Sequence, residues 1–340
     1  MDKNISSIED KWYGKPYYSL DAYFKNVYGQ KIYKIAVDAG LSCPNRDGSL
    51  DDRGCIFCSK FGSGDFAVKA GDVKAQIEAG IAKFNKSVGE KYVIYFQAFT
   101  NTYGDVEYLR KIWTEALEYE SVVGISIATR PDCLGDEVVA LLKELKEKFL
   151  RPDASSAEDI GSKFIWIELG LQTIHESTAK YIRRHYELQI YEEAVLKLGK
   201  MGIPYITHII LGFPKETKEE MLETVFYVEQ GIMDYDIHRQ IKPFGIKLQL
   251  LHVLEGTDLA ADYKDGAFKT MEMDEYIELI VEALQKINPE IVMHRVTGDG
   301  PKSILIAPTW SANKKVVLNT LHKTMKEKNA RQGDYSIMLW

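Results

Sequence analysis

The sequence predicts an α/β fold, a partial (β/α)6 barrel of the TIM type with N-terminal and C-terminal extensions. Short runs of β-branched and aromatic residues alternate six times with longer amphipathic stretches, a pattern typical of parallel strands joined by helices. Right-handed crossovers curl such a sheet toward a barrel. A group of three cysteines directly follows the first run, in the kind of βα loop where barrels of this type carry their functional groups.

The individual elements are predicted from apolar runs and from helical periodicity. The predicted strands are Lys31–Val37, Tyr92–Phe96, Val122–Ala128, Phe164–Leu169, Tyr205–Leu211 and Lys247–Val253. The predicted helices are Val73–Asn85, Glu107–Tyr119, Asp136–Lys148, Ser177–Lys200, Lys218–Gln230 and Asp274–Lys286. We expect a barrel over residues 31–288, an N-terminal extension over 1–30, and a C-terminal extension with a basic helix over 289–340.

The composition is that of an ordinary globular protein, with 45% hydrophobic and 27% charged residues among 340. A net charge of −7 argues against bulk electrostatic binding of nucleic acid but leaves room for a local basic patch. The first ten residues lack an apolar signal core, and no apolar run approaches the roughly 20 residues that a membrane span needs. We therefore expect a cytoplasmic protein with reduced thiols and no membrane partner.

Cys43, Cys55 and Cys58 form a C-x11-C-x2-C motif, whereas Cys133 stands apart. Structural zinc usually takes four protein ligands, but three thiolates suit a [4Fe–4S] cluster and leave one iron open. Two alternatives remain at this point. Cys133 or a histidine could complete a zinc site, or Cys55 and Cys58 could form a redox-active disulfide.

Five further motifs occur in a fixed order along the chain, between residues 128 and 259. They are ATRPD at 128–132, IELGLQT at 167–173, YIRRHY at 181–186, THIILGFPKET at 207–217 and LLHVLEGTDL at 250–259. With the cysteines, they resemble the radical S-adenosylmethionine (SAM) superfamily, in the branch of the Elongator catalytic subunit and the oxygen-independent coproporphyrinogen oxidases. The first cysteine spacing is longer than the usual three residues of that superfamily, and Phe57 occupies its aromatic position before the last cysteine.

The resemblance implies a [4Fe–4S] cluster held by the three cysteines, with SAM bound beside it. Gln172 then corresponds to a contact of the SAM ribose. Arg184 corresponds to the partner of the SAM carboxylate, a role that suits the forked guanidinium. His208 stands where related enzymes carry an acidic SAM contact.

The other implied cofactor contacts lie on the second, third and fourth strands or directly after them. Thr100, Asn101 and Thr102 replace a glycine-rich motif that receives the SAM ammonium, and their oxygens can accept such hydrogen bonds. Arg130 and Glu168 complete the candidates. Alternatively, Arg130 pairs with Asp132, and Glu168 is a structural charge with a buried partner.

The family likeness also implies an activity, reductive SAM cleavage followed by hydrogen abstraction from a substrate, with a flavodoxin- or ferredoxin-like electron donor. The segment from His294 resembles the ending of a bacterial family linked to tRNA wobble-uridine modification. The implied step converts 5-carboxymethylaminomethyl-2-thiouridine to 5-aminomethyl-2-thiouridine, which a downstream methyltransferase partner could use. The candidate tRNA contacts are Lys314, Lys315, Lys323 and Lys326, which also suit a solvated helix face.

Two alternative functions remain. The same radical chemistry could act on a small metabolite or a protein side chain, in which case tight, salt-dependent tRNA binding is not expected. A zinc-stabilised RNA-binding module without catalysis would instead hold zinc and no iron or sulfide.

Overall fold

The computed structural model describes residues 8–62, 64–65, 67, 71–84, 89–150, 161–298 and 300–336. Within these residues, seven parallel strands form a curled sheet, a half-barrel, in the order β1-β2-β3-β4-β5-β8-β10. The strands are β1 Tyr33–Val37, β2 Tyr92–Phe96, β3 Val122–Thr129, β4 Phe164–Gln172, β5 Tyr205–Leu211, β6 Ile232–Asp234, β7 Arg239–Ile241, β8 Gly245–Leu250, β9 Val253–Leu254, β10 Val292–Arg295 and β11 Leu305–Ala307.

Helices cover the outer face of this sheet. The α-helices are α1 Leu20–Tyr28, α2 Val73–Ala82, α3 Val106–Glu118, α4 Asp136–Phe149, α5 Glu176–Tyr181, α6 Leu188–Lys200, α7 Lys218–Gln230, α8 Asp258–Lys264, α9 Met273–Lys286 and α10 Lys314–Glu327. Short 3-10 helices span Ile8–Trp12, Pro131–Cys133 and Thr309–Ala312. None of the helices in the described part of the chain is both long and apolar enough to cross a lipid bilayer.

The predicted partial barrel is confirmed, with two differences in its elements. A seventh strand, β10, extends the sheet beyond the six predicted, and it lies in the segment that we expected to be a C-terminal extension. The single helix predicted over Ser177–Lys200 is wrong, because two helices, α5 and α6, occupy this region. The break follows from Arg183 and His185, whose φ angles of 58° and 60° are left-handed and end a right-handed helix.

The predicted helix Val73–Asn85 appears as α2, and its last residue lies outside the described residues. The basic helix expected near the C-terminus is α10, which buries Val317, Leu321 and Met325 and leaves its lysines on the exposed side.

A cluster of aromatic side chains, which we call the aromatic plug, closes the inner face of the half-barrel at the amino ends of its strands. Because side chains alternate between the faces of a strand, Phe164 and Trp166 of β4 both point inward, with ring centroids 3.9 Å apart. Phe24 of α1 stacks on Trp166 at 5.8 Å, and Tyr23 packs beside it. These rings, with apolar residues of neighbouring strands, form one buried cluster. Any ligand of the inner face therefore enters from the other end.

Candidate active site

A single cavity joins the carboxyl ends of the strands to the cysteine loop. Cys43, Cys55 and Cys58 line it, together with inward-facing side chains of the sheet such as Gln97 and Gln249. This end is where barrels of parallel strands place their chemistry. The predicted position of the cysteine motif at the mouth is thus the observed one.

The cysteine loop is held by two polar side chains that reach across it. Asn45, which is fully buried, donates from Nδ2 to the Arg183 carbonyl at 2.8 Å and to the Cys55 sulfur at 3.4 Å. Arg46 donates to the carbonyls of Cys58 and Ser59, each at 2.8 Å. These bonds fix the backbone around the thiols before any cofactor is bound.

The position before Cys55, next to the Arg46 side chain, requires a glycine. Gly54 has a left-handed φ of 80°, and a Cβ there would lie 2.7 Å from Nε of Arg46. Gly54 therefore permits both the turn before Cys55 and the passage of the arginine side chain.

The three thiols share one electrostatic environment. Burial raises the pKa of Cys55 to about 12, and the neighbouring Cys58 and Cys43 add to this rise, whereas Arg130 and the hydrogen bond from Asn45 oppose it. Iron binds the deprotonated thiolate. A bound iron and the nearby Arg130 guanidinium therefore stabilise the thiolate, which burial alone would disfavour.

This arrangement fits a [4Fe–4S] cluster better than a zinc ion. A structural zinc ion usually takes four protein ligands, whereas three thiolates hold a [4Fe–4S] cluster and leave one iron open for another ligand. Cys133 faces a neighbouring groove with Thr102 and Asp132, and its sulfur lies 3.8 Å from Oδ1 of Asp132.

Most of the predicted SAM contacts border the cavity. These are Phe57, Thr100, Arg130, Glu168, Gln172, Arg184 and His208. Gln172 has a left-handed φ of 73°, and its Oε1 is buried without a hydrogen-bond partner. An orphaned acceptor of this kind suits a ligand that donates hydroxyl groups, as a ribose does. The role of Gln172 and of the other SAM contacts remains a prediction.

Two predicted contacts lie behind the cavity wall. Asn101 is fully buried, and its Nδ2 donates to the Ala128 carbonyl at 3.0 Å. The Thr102 hydroxyl lies 2.5 Å from that of Thr129 and donates to the Cys133 carbonyl. Both side chains join the loop after β2 to β3, and only Thr100 of the three borders the cavity.

The two arginines of the prediction have protein partners. Arg130 forms a bidentate pair with Asp132 at 2.9 and 2.6 Å, which is the alternative considered from the sequence. Arg184 donates to Glu176 at 2.9 Å and to the carbonyls of Tyr186 and Thr173. These bonds occupy most of the Arg184 donors, and its contact with a SAM carboxylate stays a prediction.

Each strand of the half-barrel contributes one polar side chain to a layer between the aromatic plug and the thiols. We call this set the polar layer: Lys34, Tyr95, Ser126, Glu168, His208, Lys247 and Arg295. Glu168 is its centre and has no exposed surface. Its carboxylate accepts hydrogen bonds from Lys34 at 2.9 Å, Ser126 at 2.5 Å, His208 at 2.7 Å and Lys247.

The layer shifts the pKa values of its members in opposite directions. Burial alone would raise the pKa of Glu168, but Lys247, Lys34 and His208 hold it well below its usual value. Burial lowers the pKa of Lys247 to about 7, although Glu168 opposes this shift. Burial also lowers the pKa of His208 to about 4, so this imidazole is neutral and donates to Glu168.

Most of this layer was not predicted from the sequence. A signal existed, because Lys34 and Lys247 are charged residues inside strands predicted as buried. His252, which borders the cavity beside Gly298 and Gly300, was not predicted either. A Cβ at Gly298 would lie 2.2 Å from Cε1 of that imidazole, so the glycines leave room for the ring.

A half-barrel with three cysteines at its mouth and a polar inner face defines an iron–sulfur enzyme of the α/β-barrel class. The comparisons with known proteins agree with this class. The chain belongs to the radical SAM superfamily, whose domain matches residues 52–228, and the Radical_SAM C-terminal domain matches residues 243–327.

Individual relatives span most or part of the chain. The "Uncharacterized protein YtqA" of Bacillus subtilis (strain 168) is 41% identical over 323 residues, which cover 94% of this chain and 93% of that protein. A "tRNA uridine(34) acetyltransferase" of Methanocaldococcus jannaschii is 25% identical over 194 residues, 56% of this chain and 31% of that protein.

Among solved structures, the archaeal Methanocaldococcus infernus Elp3 with an N-terminal deletion has the same fold. Its TM-score is 0.64 at 18% identity, over 89% of this chain and 64% of that chain. The resemblance to the radical SAM superfamily is therefore confirmed. The protein is a radical SAM enzyme with a [4Fe–4S] cluster and SAM as cofactors, and enzymes of this superfamily need a reducing partner.

Proposed function

We propose that the enzyme acts on the wobble uridine of tRNA and converts 5-carboxymethylaminomethyl-2-thiouridine to 5-aminomethyl-2-thiouridine. The observation that carries the proposal is the match over 194 residues to a protein named for uridine 34 of tRNA, which is the wobble position. The likeness of the segment from His294 to the ending of a wobble-modifying family supports it. The acidic charge of the whole chain, −7, is compatible with a local basic contact surface.

The proposed reaction removes a two-carbon unit from the side chain of the base. Cys43, Cys55 and Cys58 would hold the cluster, and the cluster with bound SAM would supply the radical chemistry that removes a hydrogen atom from a C–H bond of the substrate. The methylene between nitrogen and carboxylate is the favoured target, because both neighbours stabilise a radical there. Loss of one further electron gives an iminium, and water hydrolyses it to glyoxylate and the 5-aminomethyl amine.

Partners follow from this chemistry. The electron lost from the substrate radical passes to a one-electron carrier. We propose that this carrier is the same flavodoxin- or ferredoxin-like protein that acts as the electron donor. The product carries a primary amine, a suitable substrate for a downstream methyltransferase. The protein itself positions the target carbon and excludes water, and the plug built on Phe164 and Trp166 closes the far side of the cavity. A base of a single-stranded anticodon loop can be turned out to enter the mouth.

A test of the proposal is the nucleoside content of tRNA from a deletion strain. We expect 5-carboxymethylaminomethyl-2-thiouridine to accumulate and the 5-aminomethyl derivative to disappear, as measured by mass spectrometry of digested tRNA. A plasmid copy with Cys133→Ala should restore the product, whereas one with Cys55→Ala should not. Unchanged wobble nucleosides in the deletion strain would remove the proposal.

The lysines of α10 are the proposed tRNA contacts, and their positions predict unequal effects. Lys314 and Lys315 lie in the first helical turn, where cations oppose the helix dipole, so helix stability does not explain them. This turn follows the 3-10 helix at 309–312, which packs on β11. Strand β11 pairs with β9, and Leu254 of β9 lines the cavity. At about 1.5 Å per residue, Lys326 lies roughly 18 Å further along the helix.

We expect K314A/K315A to weaken tRNA binding by roughly 10-fold and to lower the salt dependence, by about 0.7–0.9 in slope per lost phosphate contact. The pair K323A/K326A removes the same charge farther from the mouth and should have a smaller effect. Filter binding over a series of salt concentrations measures both quantities. Equal effects of the two pairs would show that α10 does not lead tRNA to the cavity.

A further inference from the structure

Asn45 is a neutral polar side chain in the cysteine loop, and it has no exposed surface. Its Nδ2 donates to the Arg183 carbonyl at 2.8 Å and to the Cys55 sulfur at 3.4 Å. Because a carbonyl oxygen only accepts hydrogen bonds, the contact with Arg183 fixes which end of the carboxamide carries the nitrogen. The group that faces the sulfur is therefore a hydrogen-bond donor.

The other end of the Asn45 carboxamide lacks a contact of this kind. Its Oδ1 is buried and has no hydrogen-bond partner in the described part of the chain. A buried acceptor without a partner costs free energy, which the Nδ2 contacts have to offset. A hydrogen bond to a charged acceptor contributes more than one to a neutral acceptor. The sulfur of Cys55 becomes a charged acceptor when iron binds it as a thiolate.

The Arg183 carbonyl also lies close to this sulfur. Its oxygen is 3.8 Å from Sγ of Cys55 and accepts a hydrogen bond from the thiol. A thiolate has no proton to donate, so the negative end of the carbonyl would then repel its charge. Nδ2 of Asn45 lies 2.8 Å from the same oxygen and offsets its partial charge. Asn45 thus stabilises a ligating thiolate both directly and through this carbonyl.

The turn at Arg183 has further contacts that do not involve Asn45. The φ angle of Arg183 is 58°, which is left-handed, and its guanidinium donates to Asp258 of α8 at 2.5 Å. The amide of Ile56 donates to the Ile182 carbonyl at 3.4 Å, which joins the cysteine loop to the same turn. We therefore expect the turn to keep its place when the Asn45 carboxamide is removed.

Hydrogen bonds to the sulfurs help to set the reduction potential of an iron–sulfur cluster. An added electron makes the cluster more negative, and the ligating sulfurs share this charge. A buried N–H group directed at one of these sulfurs therefore stabilises the reduced form more than the oxidised form, with little screening by solvent. We propose that Asn45 raises the reduction potential of the cluster through its hydrogen bond to Cys55 and so favours the transfer of one electron from the reducing partner.

This inference requires that Cys55 is a cluster ligand, but it does not depend on the identity of the substrate. A Cys55→Ala enzyme that keeps a full cluster would remove its basis. A deletion strain with unchanged wobble nucleosides would remove the tRNA proposal and leave the role of Asn45 untouched.

The test is an anaerobic redox titration of the reconstituted enzyme without SAM, followed by the EPR signal of the reduced cluster. Asn45→Leu keeps a similar shape and removes the donor. We expect the equilibrium constant for one-electron reduction to fall about 5- to 10-fold, as for the loss of one hydrogen bond. At about 59 mV per tenfold change, the potential falls by about 40–60 mV. An unchanged potential in an N45L enzyme with full iron and sulfide content would overturn the inference.

Two further variants separate the hydrogen bond from the shape of the loop. Asn45→Asp keeps the shape, and its carboxylate adds negative charge and cannot donate, so the potential should fall further than in N45L. Ser49 of the same loop is exposed, and its hydroxyl lies 2.8 Å from that of Tyr103. Ser49→Ala removes this hydrogen bond and should keep the unaltered potential. An equal fall in S49A and N45L would assign the effect to the loop and overturn the inference.

A measurement on the unaltered enzyme covers the case in which the Asn45 variants do not hold a cluster. The protein is labelled with asparagine that carries ¹⁵N in its side-chain amide. Pulsed EPR of the reduced cluster should then show hyperfine coupling to ¹⁵N, because Nδ2 of Asn45 lies 3.4 Å from the Cys55 sulfur. The absence of such coupling would also overturn the inference.

Discussion

An enzyme with Cys55 replaced by alanine is expected to lose its iron–sulfur cluster and, with it, all reductive cleavage of SAM. Cys55 is central among the three thiols, because both Cys43 and Cys58 influence its pKa and Asn45 donates to its sulfur. Two remaining thiolates leave two iron corners without a protein ligand. The absorption band near 400 nm after anaerobic reconstitution, together with iron and sulfide content and 5′-deoxyadenosine formation, measures the loss.

Cys133→Ala is the matched control for this prediction. Cys133 is the fourth cysteine of the chain and borders the neighbouring groove rather than the cavity of the other three. The C133A enzyme should keep its cluster and cleave SAM at close to the normal rate. A C55A protein with a full complement of iron and sulfide would contradict the assignment of the cluster ligands.

Replacement of Glu168 by alanine is expected to destabilise the fold by about 3–5 kcal/mol, the usual effect of leaving a buried charge without its partner. Glu168 has no exposed surface and holds Lys34 and Lys247 together. Urea unfolding followed by circular dichroism measures the change in the free energy of unfolding.

The pH dependence of this variant provides a second readout. Burial lowers the pKa of Lys247 to about 7 even with Glu168 present, and removal of the carboxylate lowers it further. As the pH rises from that lowered pKa to about 7, Lys247 is already neutral in the folded variant but still protonated in the folded wild-type protein, so the variant gains stability relative to the wild type. The E168A defect should therefore be smaller at about pH 9 than at about pH 6.

An exposed ion pair serves as the control. Glu144 pairs with Arg110 on the helical surface, and its side chain is 55% exposed. E144A should change the free energy of unfolding by no more than about 1 kcal/mol, because solvent screens such pairs. A similar loss in E144A and E168A would mean that the polar layer has no special role in stability.

The sheet was predictable from the sequence because its strands are runs of β-branched and aromatic residues with helices between them. The missed strand β10 has only four residues, and two of them are His294 and Arg295, so its apolar signal is weak. The break between α5 and α6 was not predictable from periodicity. It depends on left-handed backbone angles at Arg183 and His185, residue types that do not favour that conformation as glycine does.

The thiols and the polar layer differ in what sequence can reveal. The cysteine spacing is local, and the motif carries its own chemistry. The partners of Glu168 come instead from β1, β3, β5 and β8, so their meeting depends on how far the sheet curls. The alternation of side chains shows that Lys34 and Lys247 share a face with their neighbours two residues away. It does not show that the polar side chains of different strands lie at the same height within the half-barrel.

The way β10 is covered has a consequence for the order of assembly during synthesis. As the outermost strand next to β8, it is bridged at Met293 by Ser19. Gln332 connects the two segments that meet here. Its side chain accepts a hydrogen bond from the Tyr18 amide and donates hydrogen bonds to the Asn288 and Ile291 carbonyls. A ribosome finishes β10 before it reaches Gln332. The outer edge of β10 therefore stays open to the addition of another strand until the segment around Gln332 has been made.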